Sequence, residues 1–124
     1  MGQSQTSVLL VEDHRATADL YALQLRMDGF AVHHAADATT AEVIYERTRP
    51  DVVCVDSRLP DRAGTEVAAA FARSGATVIL FTNDQECYES PPAGIALALL
   101  KSRTVPRELS GVITRLVRER SQTA

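Results

Sequence analysis

The sequence has few cysteines and no long apolar run. Its 124 residues include two cysteines, Cys54 in an apolar run and Cys87 in a polar one, so a disulfide framework is excluded and a reducing compartment is expected. No apolar run approaches the ~20 residues that a membrane-spanning helix needs, and no secretory signal opens the chain. We therefore expect a cytoplasmic protein that makes no membrane contact. The net charge of −3 argues against nucleic acid as a direct partner.

Glycine-rich phosphate-binding motifs are also missing. The chain contains neither G-x-G-x-x-G nor a P-loop, so a nucleotide-binding role would lack its phosphate cradle. The first residues, MGQSQT, match the pattern for myristoylation at Gly2, but so short a pattern often occurs by chance, and we do not expect lipidation.

Lysine is the scarcest charged residue. The chain has 12 arginines and one lysine, Lys101, which ends an apolar run. A compact charge on a flexible stem is indicated at this position, in place of the planar fork of arginine. A single lysine arising at random in an arginine-rich composition is the alternative.

Short apolar runs alternate with longer amphipathic segments. The runs cover residues 7–11, 30–35, 51–56, 76–82 and 94–101. Four of them are nearly continuous in apolar residues, which is typical of parallel strands covered on both faces. The second contains His33 and His34 and predicts an edge strand. Because adjacent strand residues point to opposite faces, we do not expect these histidines to bind a metal together.

The segments between the runs have helical periodicity. In the first predicted helix Ala16, Leu20, Leu23 and Met27 form the apolar stripe expected to face the core. Residues 83–93 are polar and contain two consecutive prolines, so the fourth helix should be short, irregular or missing. Strand and helix alternating about five times indicate an α/β fold with a doubly wound, five-stranded parallel sheet. We expect one domain over residues 1–124, with a core of about 7–120.

Polar side chains follow the ends of four predicted strands. Glu12 and Asp13 follow the first, Asp56 the third, Thr82 the fourth and Lys101 the fifth. Ligands of open parallel sheets bind beyond these ends. Two carboxylates ~4 Å apart repel by about 4 kcal/mol at an effective dielectric constant of 20, so protonation or a cation is required, and Mg²⁺ matches such a ligand set. The alternative is that the first two acids only cap a helix.

Four segments together resemble the receiver domain of two-component response regulators. They are VLLVEDH, VDSRLPDRAG, ILFT and ALLK, in this order and each at a strand end. The resemblance extends from about Val8 to Arg118. It implies a flavodoxin-like sheet of order 2-1-3-4-5 with five flanking helices, and a histidine kinase or phosphotransfer protein as partner. It is also compatible with a homodimer.

The resemblance implies roles for the residues at the strand ends. Asp56 would accept a phosphoryl group from a phosphohistidine. Asp13 would bind Mg²⁺ directly, together with Asp56 and the carbonyl oxygen of Arg58, while Glu12 would act mainly through water.

The remaining implied roles concern the phosphoryl group and the loop after the acceptor. Thr82 would donate a hydrogen bond to a phosphoryl oxygen and Lys101 would pair with the group, so that charge developing during transfer is neutralised. Pro60 and Gly64 would shape the loop that presents Asp56, with Gly64 expected where φ needs to be positive.

Several positions depart from the family pattern. Ala98 stands where an aromatic residue is usual, Ser102 where proline is usual and Asn83 where a very small residue is usual. We expect a trans bond before Ser102, because a non-proline cis bond costs ~3 kcal/mol, and we expect Asn83 to crowd the pocket. From Thr82 to Lys101 there are 101 − 82 = 19 steps, a few fewer than usual. These departures predict an atypical receiver with intact chemistry and a non-standard readout.

Arg58 and Asp84 lie two residues beyond Asp56 and Thr82, so we expect them to meet at the pocket rim. Our hypothesis is that their ion pair slows dephosphorylation by restricting water. Exposed ion pairs contribute ~0–1 kcal/mol, so the effect should be kinetic.

Two other functions stay open. A degenerate receiver would bind partners without phosphorylation, as the changes at Asn83 and Ala98 and the damaged fourth helix suggest. An aspartate-based phosphatase would need an acid two residues after Asp56, where the chain has Arg58. We therefore expect no enzymatic activity beyond the chain's own phosphorylation and dephosphorylation. Without an effector domain in these residues, output is expected through another protein or through a part outside this sequence.

Overall fold

Five strands and five helices alternate in a computed structural model that describes residues 5–123. The strands are β1 (Ser7–Val11), β2 (Ala31–Ala35), β3 (Val52–Val55), β4 (Thr77–Thr82) and β5 (Leu97–Leu100). The helices are α1 (Arg15–Met27), α2 (Ala38–Thr48), α3 (Gly64–Arg73), α4 (Gln85–Glu89) and α5 (Pro106–Thr123). The five strands pair in parallel in the order β2-β1-β3-β4-β5, which confirms the predicted fold class. The myristoylation pattern at Gly2 lies outside the described residues.

The sheet has a core on each face. Alternate residues of the central strands point to opposite faces, so Val8 and Leu10 pack towards α1 and α5, while Leu9 and Val11 pack towards α2 and α3. Every residue of β3 is buried. The runs that lacked alternation in the sequence are therefore strands covered by helices on both sides.

The predicted apolar face of α1 is wrong. Ala16 is exposed, and Leu20, Leu23 and Met27 are 55%, 59% and 71% exposed. The buried residues of α1 are instead Ala18, Tyr21, Ala22 and Leu25.

Residue size explains which stripe of α1 faces inward. Ala18 and Ala22 are small and allow the helix to lie close to the sheet. Tyr21 packs edge-on against Phe81, with 4.9 Å between ring centroids, and its hydroxyl donates to the carbonyl oxygen of Thr104. Two sets of apolar residues on α1 have helical spacing. The set with the larger aliphatic side chains, Leu20, Leu23 and Met27, is the exposed one. The buried residues of α2, α3 and α5 include Ala41, Tyr45, Val67, Phe71, Leu109 and Ile113.

The segment between β4 and β5 contains little helix. As predicted, α4 is short, with only five residues. Strand β5 begins at Leu97, three residues later than the predicted run, because Gly94 has a φ of +91° that is incompatible with a strand. All peptide bonds within residues 5–123 are trans, including the one before Ser102. Over the same residues, no helix is both long and apolar enough to cross a bilayer.

Candidate functional site

The strand ends open into one polar cavity. It has a volume of about 370 Å³ and lies beyond the carboxyl ends of β1, β3, β4 and β5, with eight lining residues: Asp13, Asp56, Ser57, Arg58, Thr82, Asn83, Asp84 and Lys101. Of the residues predicted for the site, only Glu12 is absent from this lining, since its side chain is buried. The structure thus brings all the predicted side chains to one edge of the sheet.

Three carboxylates form an acidic cluster at this edge of the sheet. One oxygen each from Glu12, Asp13 and Asp56 lies within 4.8 Å of the others. Glu12 is 2% exposed, whereas Asp13 is exposed and Asp56 is half-buried. The backbone N–H of His14 donates to Glu12 Oε2 at 3.0 Å, which holds the buried carboxylate in place. A set of hard oxygen ligands with one member open to solvent is suited to Mg²⁺ that keeps part of its water.

Lys101 connects two of these acids. Its Nζ lies 2.6 Å from Asp56 Oδ2 and also pairs with Glu12 Oε1. Burial by itself would lower the pKa of Lys101, but the hydrogen bonds to Asp56 and Glu12 outweigh burial and raise it. The amine therefore stays charged at neutral pH and offsets part of the repulsion between the carboxylates.

Gly64 shapes the loop after Asp56, but not through a positive φ as predicted. It is the first residue of α3 and is not among the residues of positive φ. Its N–H donates to the carbonyl oxygen of Ser57 at 2.8 Å, and a Cβ at this position would lie 1.6 Å from the carbonyl oxygen of Asp56. The position requires glycine because the two backbone segments approach so closely.

The same loop is fastened to α2, which the sequence did not reveal. Asp61 accepts hydrogen bonds from the N–H groups of Ala38 and Thr39 at 2.9 and 3.0 Å. The bond from Ala38 is the main cause that lowers the pKa of Asp61 to about 2. Arg62 and Glu42 form an ion pair at 2.8 Å. An acid in a loop that caps a distant helix has no local sequence signal.

Thr82 is held by two hydrogen-bonding partners. Its Oγ1 accepts from the N–H of Asp84 at 2.9 Å and lies 2.6 Å from Ser57 Oγ. Both hydroxyls are buried. Sequence reasoning missed Ser57, although a hydroxyl residue immediately after the acid at the end of a buried strand was a signal that could have drawn attention to it.

The comparisons with known proteins agree with this geometry. A family profile described as "Response regulator receiver domain" matches residues 8–103. The chain belongs to this family. The sensory transduction protein RegX3 of Mycolicibacterium smegmatis is 41% identical over 78 residues, which are 62% of this chain and 34% of that protein. The probable transcriptional regulatory protein TcrX of Mycobacterium tuberculosis is 32% identical over 117 residues, or 93% of this chain and 49% of that protein. This receiver domain thus spans half or less of the length of these curated relatives.

Solved structures show the same architecture. A CheY-like receiver domain protein from Methanospirillum hungatei JF-1 has a TM-score of 0.85 and 26% identity, covering 98% of this chain and all of the other. A two-component response regulator of the LuxR family from Aurantimonas sp. SI85-9A1 has a TM-score of 0.77 and 30% identity, covering 94% and 87%. The fold of this receiver domain is therefore shared over nearly its whole length.

The rim of the receiver's cavity has the predicted ion pair. Arg58 Nη2 lies 3.2 Å from Asp84 Oδ2. The pKa of Asp84 is lowered, first by the hydrogen bond from the N–H of Cys87 and then by Arg58. Asn83 lines the cavity and accepts from the N–H of Ser102 at 2.9 Å, which ties the end of β4 to the turn after Lys101. The pair exists, and its effect on water access stays a prediction.

The helix-capping alternative for the first two acids is not supported. The residue that caps α1 is His14, whose Nδ1 accepts from the N–H of Thr17 at 3.4 Å. Glu12 is instead engaged by Lys101. The side chain of His34 lies against the carbonyl oxygen of Glu12 at 2.7 Å, while His33 is exposed.

Proposed function

We propose that this receiver domain is the phosphoacceptor of a two-component phosphorelay, with Asp56 as the accepting residue. The observation that carries the proposal is the pairing of Lys101 with both Asp56 and the buried Glu12, beside the exposed Asp13, in an open cavity. A nucleophilic carboxylate that meets a fixed cation and further acids is the arrangement that phosphoryl transfer requires.

The chemistry follows from the charges. An Asp56 oxygen would attack phosphorus as the bond to the donor histidine nitrogen breaks, and the electron pair of that bond returns to the imidazole. Lys101 would follow the negative charge from the carboxylate to the phosphoryl oxygens, and Thr82 would donate a hydrogen bond to one of them. Mg²⁺, held by Asp13, Asp56 and the carbonyl oxygen of Arg58 with Glu12 acting through water, would supply further charge neutralisation.

The proposal includes a partner that donates the phosphoryl group, and it includes no catalysis of external substrates. A histidine kinase or phosphotransfer protein would supply the phosphoryl group, and phosphorylation would control binding of a downstream protein in the cytoplasm, without direct contact to nucleic acid. We propose no catalysis of external substrates, because Arg58 occupies the position where a phosphatase of this type would need an acid.

One observation favours a second function, that of a phosphorylation-independent interaction module. Helix α4 has five residues, and Ala98 replaces the usual aromatic residue on β5, so the common route of readout is missing. The acidic cluster and its lysine have no evident purpose in this alternative, which places it second.

Mass spectrometry of the intact chain after incubation with acetyl phosphate and Mg²⁺ tests the proposal. We expect one added phosphoryl group, lost in Asp56→Asn and retained in Asp19→Asn, which removes an exposed acid on α1. Failure to incorporate phosphate would favour the interaction module, and incorporation by Asp56→Asn would place the acceptor elsewhere.

A further inference from the structure

Asn83 and Ser102 are hydrogen-bonded to each other beside the cavity. The backbone N–H of Ser102 donates to Asn83 Oδ1 at 2.9 Å. Asn83 directly follows Thr82 and Ser102 directly follows Lys101, so the bond joins the segments after two neighbouring parallel strands, β4 and β5. The N–H is available only because residue 102 is not proline. The two departures from the usual receiver pattern at positions 83 and 102 are therefore structurally connected.

This bond determines which part of the Asn83 amide is available to a ligand. A backbone N–H can only donate, so its partner is the amide oxygen, and the amide nitrogen on the other side of Cγ has two protons to donate. Asn83 is exposed and lines the cavity together with Asp56, Thr82 and Lys101. A phosphoryl oxygen that has no proton can only accept, so it matches Nδ2 of Asn83 and not Oδ1.

A phosphoryl group at Asp56 can accept a further hydrogen bond. It has three strongly accepting oxygens. Ionised carboxylates such as Asp13 are acceptors only, so hydrogen bonds to the group must come from other residues that line the cavity. Asn83 lies at the end of β4, next to Thr82 and joined to the turn after Lys101, the two residues already proposed to contact these oxygens.

We propose that Asn83 is a further ligand-binding residue of this site, whose Nδ2 donates a hydrogen bond to an oxygen of the group bound at Asp56 while the N–H of Ser102 holds its Oδ1. The inference rests on the proposed function and adds a residue to it. It also replaces the expectation from the sequence that Asn83 only crowds the pocket. A phosphoryl group would then be connected through Asn83 to the turn after Lys101.

The affinity of Asn83→Ala for beryllofluoride, a phosphoryl analogue, separates donation from crowding. It is measured by amide NMR titration at saturating Mg²⁺ and compared with that of the unsubstituted chain. We expect binding to weaken roughly 3- to 10-fold, as for the loss of one hydrogen bond. Crowding by Asn83 predicts the opposite sign, since the smaller side chain would leave affinity equal or make it higher.

The side-chain amide of Asn83 also gives a direct readout in the unsubstituted chain. Asn83 is the one asparagine in the sequence, so its side-chain resonances can be assigned without ambiguity. We expect a nuclear Overhauser effect between the Nδ2 protons and the fluorines of bound beryllofluoride. A residue that acted only by holding the N–H of Ser102 would not produce this signal.

Gln85 provides a matched control. It has an exposed side-chain amide on α4, two residues beyond Asn83, and its Nε2 donates to Glu89 at 2.7 Å. Because Gln85 does not line the cavity, Gln85→Ala should leave the affinity for beryllofluoride unchanged. An equal loss in this variant would overturn the specific role of Asn83.

The remaining contrary results distinguish the inference from the proposed function. Equal or tighter binding by Asn83→Ala, or weaker binding without an Overhauser effect at the Asn83 amide, would overturn the donor role and leave the acceptor role of Asp56 intact. No binding by the unsubstituted chain would overturn the proposed function and, with it, the role of Asn83.

Discussion

The centre of the sheet and its β5 edge differ in how firmly they are packed. Every residue of β3 is buried, whereas in β5 only Leu100 is, and the other three residues are half-buried. Helices α1, α2 and α3 have 13, 11 and 10 residues, whereas α4 has five. The proposed acceptor Asp56 follows the fully buried β3, whereas Thr82 ends β4 and Lys101 follows β5, the edge strand with fewer buried residues.

This difference suggests where a response would be easiest to produce. Segments with few buried apolar side chains open at a lower free energy than the global unfolding of the protein. We therefore expect a change of charge at Asp56 to alter the conformation of residues 83–100 more readily than that of the central strands. The sequence places Ala98 in β5, and whether this residue alters the readout of phosphorylation stays a prediction.

The largest effect should come from a matched pair of core truncations. Leu9→Ala in β1 should lower the free energy of unfolding by about 3–4 kcal/mol, because Leu9 is fully buried, whereas Leu97→Ala in β5 should cost about 1–2 kcal/mol. Chemical denaturation of both variants measures the difference. Equal losses of unfolding free energy would show that the β5 edge of the sheet is packed as firmly as its centre.

Gly64→Ala tests the close approach of two backbone segments beside Asp56. We expect a loss of about 2–3 kcal/mol, since a Cβ would lie 1.6 Å from the carbonyl oxygen of Asp56. Gly111→Ala in α5, where nothing lies within 4 Å of the added carbon, should instead stabilise the chain by about 0.5–1 kcal/mol. If both substitutions were neutral, the loop could move aside and the site would not be rigid.

Replacing Lys101 by an uncharged residue measures the repulsion between Glu12 and Asp56. Lys101→Met should lower the free energy of unfolding by about 2 kcal/mol at neutral pH without divalent ions, because Glu12 is left buried and unpaired. Mg²⁺ should restore part of the loss, and adding Glu12→Gln should restore most of it. A loss that neither treatment relieves would have to arise from packing.

Arg58→Ala removes the ion pair with Asp84 at the rim of the cavity and should have little effect on stability. The free energy of unfolding should change by less than about 0.5 kcal/mol, since the Arg58 side chain is 84% exposed. The half-life of the phosphorylated chain should shorten by about twofold or more, a change of about 0.4 kcal/mol in the barrier. An unchanged half-life would disprove the gating hypothesis.

The smallest effect concerns acid sensitivity. The pKa of Asp61 is about 2 in the folded chain, against about 3.9 when unfolded, so its stabilising effect is present above about pH 4 and is lost as the pH falls towards 2. Asp61→Asn should make the free energy of unfolding depend less on pH in this window. Denaturation at several pH values measures the slope, and an unchanged slope would show that Asp61 is not tied to α2 in solution.

The sequence was sufficient for the sheet and for the position of the site. Asp56 and Lys101 could be identified because a strand buried on both faces leaves only its end for a charged residue. The face of α1 could not be predicted, because helical spacing alone does not distinguish Leu23 from Leu25 when the sheet requires close approach. The bond between Ser57 and Thr82 depends on side chains 25 residues apart, which no local pattern encodes.

Amide hydrogen exchange measured by NMR with Mg²⁺, before and after addition of beryllofluoride, tests the central claim most directly. The account predicts protection at Asp13, Asp56, Thr82 and Lys101, together with exchange rates that change across residues 83–100 and stay constant in β1 and β3. All of these changes should be absent in Asp56→Asn. An unaltered exchange pattern in the unsubstituted chain would contradict the assignment of this cavity as a phosphoacceptor site.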